Sequence, residues 1–512
     1  MTIKERLRQL ATADSARGRV AITFVSNLAK SGFGFLTTII IARQLGPARY
    51  GEYGFFLASF SVIAYLLDAG GANAFYSHIA KRVRGRNFYL VYVAWMAAQF
   101  VLTGLILLLF SPAELLRHLL LSDDRVTMFM AFCAVFGQQQ VLAALSMILE
   151  SDRKTLKSQT VLLVSAIYYL AAVGTYCLLA PLDLRSAFAI MLSQQVLAGV
   201  LLYRSASSIV ARAATITEDW RQCWREYATY CKPLIPSTIF AFIYNFSDKW
   251  FLQRFSGSVE QGYFQISNQL SLVTMVFTTS VLRVFAKEAA AAMEAGDRVK
   301  LESVYRQTYV STILIISFLT GMICPWAREI LQVSLGAQYA AAANILVLLL
   351  IYPIYQSLGQ IAGTFLLSIG QTALHSAVSI AMIVVSLPLG FLLLAPPSLH
   401  GFNLGGLGLA LKLLLVSLFS VNVLNYVAAK RNGFKLDFAS QAAIPLFLGG
   451  GALAKYLVTR LVPYEVHSPV SLGLAVGLTT LLYLLVAFII AGRVRKGGTA
   501  GLLPFRIGAR ER

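Results

Sequence analysis

The residues of this 512-residue chain that could do chemistry are polar and ionisable side chains inside apolar stretches long enough to cross a bilayer. Such residues are expensive in hydrocarbon and are functional candidates for that reason. In the first apolar stretch, Asn27, Lys30, Ser31, Gly34 and Thr38 fall at helical spacing on one face. At a constant offset along the chain, the same face of the seventh stretch reads Thr238, Ala241, Phe242, Asn245 and Lys249. Two matched stripes, each with a lysine, predict a hydrated cationic cavity whose candidate residues are Asn27, Lys30, Asn245, Lys249 and, in the twelfth stretch, Lys412. Ammonium groups in a low-dielectric cavity attract anions such as phosphate. Snorkelling to the nearer interface is the competing account of Lys30 and Lys249. Asp68 and Asp248 are candidates for binding a coupling ion, with a helix-end cap as the alternative for Asp68 and pairing with other helices for Asp248. The amides of Gln138–Gln140, Gln194–Gln195 and Asn268–Gln269 suit interhelical hydrogen bonds.

Other chemistries find little support. The five histidines (His78, His118, His375, His400, His467) have no metal-ligand spacing, so neither metal nor cofactor is expected. The five cysteines (Cys133, Cys177, Cys223, Cys231, Cys324) suggest neither disulfides nor zinc. A membrane enzyme would want a paired acid and base or a long extramembrane loop, and neither is evident. The chain therefore reads as a non-enzyme.

The elements that must position these residues are membrane helices. The composition is 57% hydrophobic and only 13% charged, against roughly 25% charged in soluble chains, and the mean hydropathy is +0.69. A spanning helix takes ~20 apolar residues. Spans are expected at 20–42, 54–77, 89–110, 126–149, 158–180, 186–203, 234–256, 262–285, 308–331, 340–369, 374–395, 404–428, 439–460 and 468–491. The fold class is thus all-α and polytopic, with about fourteen transmembrane helices. The start (Lys4, Arg6, Arg8) is basic and polar for too long to be a cleavable signal peptide. The net charge of +20 would suggest nucleic acid in a soluble protein. Here Lys and Arg concentrate in alternate loops, which places both termini in the cytoplasm and argues against nucleic acid. Arg117 stands among the few basic residues of the opposite loops, and Lys435 among the many of the cytoplasmic ones.

An internal repeat organises the helices. Arg43, Gly46 and Gly51 align with Arg254, Gly257 and Gly262 at one offset, each set closing the first hairpin of a six-helix group. Six helices is an even number, so the halves are parallel repeats about an axis along the membrane normal. The expected organisation is a basic tail (1–19), a six-helix bundle (20–203), a cytoplasmic linker (204–233), a second bundle (234–428), two additional helices (429–492) and a basic tail (493–512).

The run Ile41-Ala42-Arg43-Gln44-Leu45-Gly46-Pro47-Ala48-Arg49-Tyr50-Gly51 resembles the first-hairpin signature of polysaccharide-export flippases of the multidrug/oligosaccharidyl-lipid/polysaccharide exporter superfamily. Leu67-Asp68-Ala69-Gly70-Gly71 is similar to that family's second-helix element, and 236–263 to the start of its second bundle. In the hairpin, Gly46 and Gly51 permit a tight turn and close helix approach, Pro47 stops the first helix, and Arg43 anchors at the membrane edge. The resemblance implies a polyprenyl-pyrophosphate-linked oligosaccharide as cargo and alternating access as mechanism. It also implies a multi-pass place in a bacterial inner membrane among its lipids, as a monomer, with a polysaccharide polymerase and chain-length proteins as partners. A cation-coupled drug antiporter of the same superfamily is the alternative. Such antiporters usually have twelve spans and cavity carboxylates. A lipid II flippase would carry arginines in its first two helices, where this chain has Lys30 and Asp68.

Overall fold

In hydrocarbon every backbone polar group must be satisfied within the chain, so a helix is the natural state of each long apolar run. A computed structural model describes residues 16–110, 114, 118–121, 124–433, 438–466 and 468–496, and every regular element among them is helical. The outer parts of both tails (1–15, 497–512) and Arg117, Lys435 and His467 lie outside the described residues. The chain forms two compact units, Met1–Gly262 and Tyr263–Arg512.

The first unit contains α1 (Ala16–Asp68), α2 (Gly71–Lys81), α3 (Arg86–Leu105), α4 (Arg125–Phe136), α5 (Ala143–Ser151), α6 (Thr155–Leu179), α7 (Leu184–Ala213), α8 (Trp220–Cys231) and most of α9 (Ile235–Ser271). The second contains α10 (Val276–Glu294), α11 (Arg298–Ile323), α12 (Ala327–Leu335), α13 (Ala343–Ser368), α14 (Thr372–Leu394), α15 (Gly405–Asn432), α16 (Ala443–Leu461) and α17 (Pro469–Lys496). Among the described residues, 11 helices are long and apolar enough to cross a membrane. The first of these, Ser26–Asp68, runs through the kink at Gly46 and so takes in most of the first expected span and part of the second. The seventh and eighth expected spans fall in α9 and α10, which are too polar to be among the 11.

Several expected boundaries shift for local reasons. The stretch 54–77 is one expected span but two helices, because Ala69 (φ 49°) and Gly70 (φ 89°) leave the helical region. Gly137–Leu142 is a π-helical turn containing the three glutamines, the kind of widened turn found at functional sites. Pro353 and Pro388 sit inside α13 and α14, which continue past them. The segment 204–233 is largely helical: α7 continues to Ala213, and α8 has an apolar face that packs Cys223 and Tyr227 into the first unit's core beside Phe88 and Tyr92.

The two C-terminal helices belong to the core of the second unit. Phe447 and Tyr483 are buried with Tyr305, Tyr309 and Phe365, and the Tyr483 hydroxyl donates to the Phe318 carbonyl (3.0 Å). α16 crosses α11 backbone to backbone, since a Cβ on Gly451 would lie 1.9 Å from the Gly321 carbonyl oxygen. One end of this packing is tied by Lys455. Its ammonium donates to Glu329 (2.6 Å) and to the Pro325 carbonyl (2.8 Å) and sits over the Trp326 ring.

Candidate functional site

The geometry begins at the hairpin. Gly46 (φ 70°, ψ 170°) and Gly257 (φ 80°, ψ 178°), four residues into each repeat segment, share a backbone state that only glycine occupies readily. Each turns its chain between two helical runs, and Pro47 opens the second run where its missing N–H costs nothing. Gly51 and Gly262 form a crossing within the first unit. A Cβ on Gly51 would lie 1.8 Å from the Ser258 carbonyl oxygen, and one on Gly262 would lie 2.0 Å from that of Pro47. The two copies of the motif therefore meet backbone on backbone, while Arg43 is exposed near the same turn.

The polar stripe of α1 faces open space in part: Asn27 and Ser31 are exposed, and a Cβ on Gly34 would meet nothing within 4 Å. Lys30 is half-buried and donates its ammonium to the Gln159 amide oxygen on α6 (2.8 Å). The Glu150 carboxylate adds a favourable electrostatic interaction. Farther along the same helix pair, the hydroxyls of Tyr53 and Tyr169 lie 3.5 Å apart. On α9, Thr238 is buried, Asn245 is exposed with its amide turned back to the Ala241 carbonyl (2.7 Å), and Lys249 is half-buried. Asp248 is 5% exposed. Lys412 belongs to the second unit and is wholly buried in α15. The candidate cavity residues are thus divided, four in the first unit and Lys412 in the second.

Asp68 stands where α1 ends. Both carboxylate oxygens accept from the Ala72 N–H (3.2 and 3.1 Å), and the Gly70 N–H and the Gln140 side chain also reach it. Gln140 in turn accepts from the Tyr92 hydroxyl (3.3 Å), so its amide nitrogen is left to face Asp68. Each of these partners of Asp68 is a donor, which suits a carboxylate satisfying the start of α2.

Spacing did not reveal several participants. Gln159 and Glu150 are more than a hundred residues from Lys30, with no local pattern to mark them. Arg84 read as one more loop cation, yet it is 2% exposed. Its guanidinium donates to Glu218 (3.0 Å) and Glu226 (2.6 Å) and lies 3.9 Å from the Phe88 ring centroid. Burial pushes the Glu226 carboxyl up, but Arg84 outweighs this and holds it below the usual carboxylate range. The cluster fastens α8 to the end of α3. Glu218 and Glu226 stand in a stretch whose other charges are mostly basic, the one sequence signal that could have pointed to it.

Among solved structures, the fold is similar to the lipid II flippase MurJ, with a TM-score of 0.70 at 12% identity over 93% of this chain and 99% of that one. It is also similar to a multidrug resistance MATE family transporter of the MOP superfamily (TM-score 0.64, 15% identity, 79% and 94% covered). By sequence, a protein of Haloferax volcanii described as a probable low-salt glycan biosynthesis flippase, Agl15, is 21% identical over 392 residues, covering 74% of this chain and 78% of its own length. The sequence profile of the polysaccharide biosynthesis proteins matches residues 17–286, more than half of the chain, and the chain belongs to that family.

Proposed function

We propose that this multi-pass membrane protein is a flippase. It moves a polyprenyl-pyrophosphate-linked oligosaccharide from the cytoplasmic to the periplasmic face of a bacterial inner membrane, by the alternating access that a parallel repeat implies. One observation carries the reading beyond family membership. Lys30, inside an apolar helix, donates to a neutral amide, Gln159, with the Glu150 carboxylate acting only from beyond ion-pair distance, and its helix face includes open positions. An ammonium without a contact ion pair can still attract an arriving pyrophosphate. Lys249 supplies a second lysine on the matched face of the second repeat segment, at the position that Thr38 holds in the first. Outward movement of the anion gains ~2.3 kcal/mol per charge per 100 mV of membrane potential. Asp68, surrounded by donors, serves to position α2. The chemistry needed is binding and release, so the chain acts as a transporter without catalysis, on cargo that polymerase and chain-length proteins then receive.

Lys30→Ala and Lys249→Ala should each lower surface-polysaccharide display at normal protein abundance, and full display in the double variant would overturn the cationic role. Deleting the gene should trap complete lipid-linked units facing the cytoplasm; accumulation facing outward would instead indicate a polymerase or ligase. Cation-coupled export of a small molecule is a second reading, supported by the buried Asp248 carboxylate and the multidrug-transporter likeness of the fold. In that case Asp248→Asn should abolish cation-dependent dye efflux from proteoliposomes, and wild-type protein with no efflux removes the reading.

A further inference from the structure

The first unit has a cleft of about 830 Å³ between α3, the α4–α5 segment and α7, distinct from the stripes that hold Lys30 and Lys249. Its walls are apolar, with Met96 and Phe100 deep along α3. Arg86 and Arg204 line it together with Tyr89 and Tyr203. Arg86 opens α3 directly after the basic loop of Lys81, Arg82 and Arg84, so the arginines mark the basic end of the cleft. Both are exposed, and neither has an acidic partner among the described residues. The nearby carboxylates are already taken: Glu218 by Arg84, and Asp152 by Lys154 (2.8 Å) and Arg212 (3.3 Å). An apolar trough at membrane depth, ending in two uncompensated guanidiniums and two phenols, has the chemistry of an anionic lipid site. Acyl chains fill the trough, and the phosphate meets the arginines at the headgroup level, where such residues are favoured.

We infer that this cleft holds a resident anionic glycerophospholipid of the cytoplasmic leaflet. The walls offer few hydroxyls or amides for a sugar, which favours a membrane phospholipid over the glycosylated cargo as occupant. The inference does not depend on the transport reading, because its readout is phospholipid binding by the purified protein.

The test is native mass spectrometry of the full chain titrated with phosphatidylglycerol, with phosphatidylcholine and with a polyprenyl diphosphate. Wild-type protein should retain phosphatidylglycerol in preference to phosphatidylcholine. Arg86→Gln and Arg204→Gln should each weaken phosphatidylglycerol by about fivefold and together by about thirtyfold, the loss expected for one and two basic residues at a membrane surface. Val200→Trp, at an exposed wall position that leaves the core intact, should lower retention of both phospholipids by narrowing the trough. Equal retention by wild type and the double arginine variant overturns the inference. So does a result in which the polyprenyl diphosphate binds more tightly and is the ligand whose binding the arginine variants lose, since the cleft would then belong to the cargo.

Discussion

The crossing of Gly51 and Gly262 gives a sharp test, because the space available to a single methyl group is known. A Cβ added at Gly51 lies 1.8 Å from the Ser258 carbonyl oxygen and 2.8 Å from the Gly262 nitrogen, where ordinary contact begins at 3.4 Å. The two helical segments would have to separate by about 1.6 Å. Both obstacles are backbone, so no side-chain rotation relieves them. Overpacking a rigid contact costs ~1–3 kcal/mol, and a backbone-on-backbone clash belongs at the upper end. For a unit of this size that is a fall in apparent Tm of about 6 °C at ~2 °C per kcal/mol. Gly262→Ala, whose Cβ would lie 2.0 Å from the Pro47 carbonyl oxygen, should behave alike. The double variant should cost clearly less than the two combined, since an opening made for one methyl accommodates much of the other. Gly34→Ala is the control: nothing lies within 4 Å of its Cβ, so the better helix former should leave Tm unchanged or slightly raised. Unfolding of a membrane protein is commonly irreversible, so all variants are compared at one scan rate in one detergent. A Tm for Gly51→Ala within about 1 °C of wild type would refute the reasoning, as would strictly additive losses in the double variant.

Other perturbations probe separate parts of the architecture. Gly46→Ala places a side chain at φ 70° and ψ 170° and should cost ~1–3 kcal/mol, read as lowered Tm and folded yield; equal yield would mean that the turn relaxes. Arg84→Ala leaves Glu218 and Glu226 without their guanidinium and should release α8, at a cost of ~3 kcal/mol. Hydrogen exchange at 220–231 should then rise while α4 stays protected. The same contact should respond to acid. The Glu226 carboxyl is held below its ordinary range, so its contribution is complete above about pH 4.3 and is lost as pH falls through the lowered value; exchange at 220–231 that rises between pH 8 and pH 5 contradicts this. Lys455→Ala leaves Glu329, which is 8% exposed, with the Tyr464 hydroxyl but no cation, and should cost ~3 kcal/mol. Lys455→Met combined with Glu329→Gln should recover most of that in thermal unfolding.

The membrane-helical character of this chain was legible because hydrocarbon imposes it: apolar runs of about twenty residues leave the backbone no alternative to a helix. Breaks within those runs were harder to see. Nothing in the hydropathy of 54–77 marks Ala69 and Gly70 as the place where one helix ends, because that break depends on a carboxylate that caps the next helix. The segment 204–233 read as a linker because it is polar on average, and its helix shows only when the few apolar residues are placed on one face of α8. Partners were least legible of all. The spacing of Asn27, Lys30 and Gly34 marks a face, but what makes Lys30 chemically distinctive is Gln159, 129 residues away and one of many glutamines in the chain. Arg84 shows the converse. Its position among loop cations suggested orientation alone, and its burial between two glutamates makes it a clasp for α8. Arg86, two residues farther on, has the same residue type in the same loop but no acidic partner among the described residues, and so stays open to an external anion. Residue type and spacing set which chemistry is available to these arginines, and the carboxylates already spent nearby decide which of them is structural and which can bind.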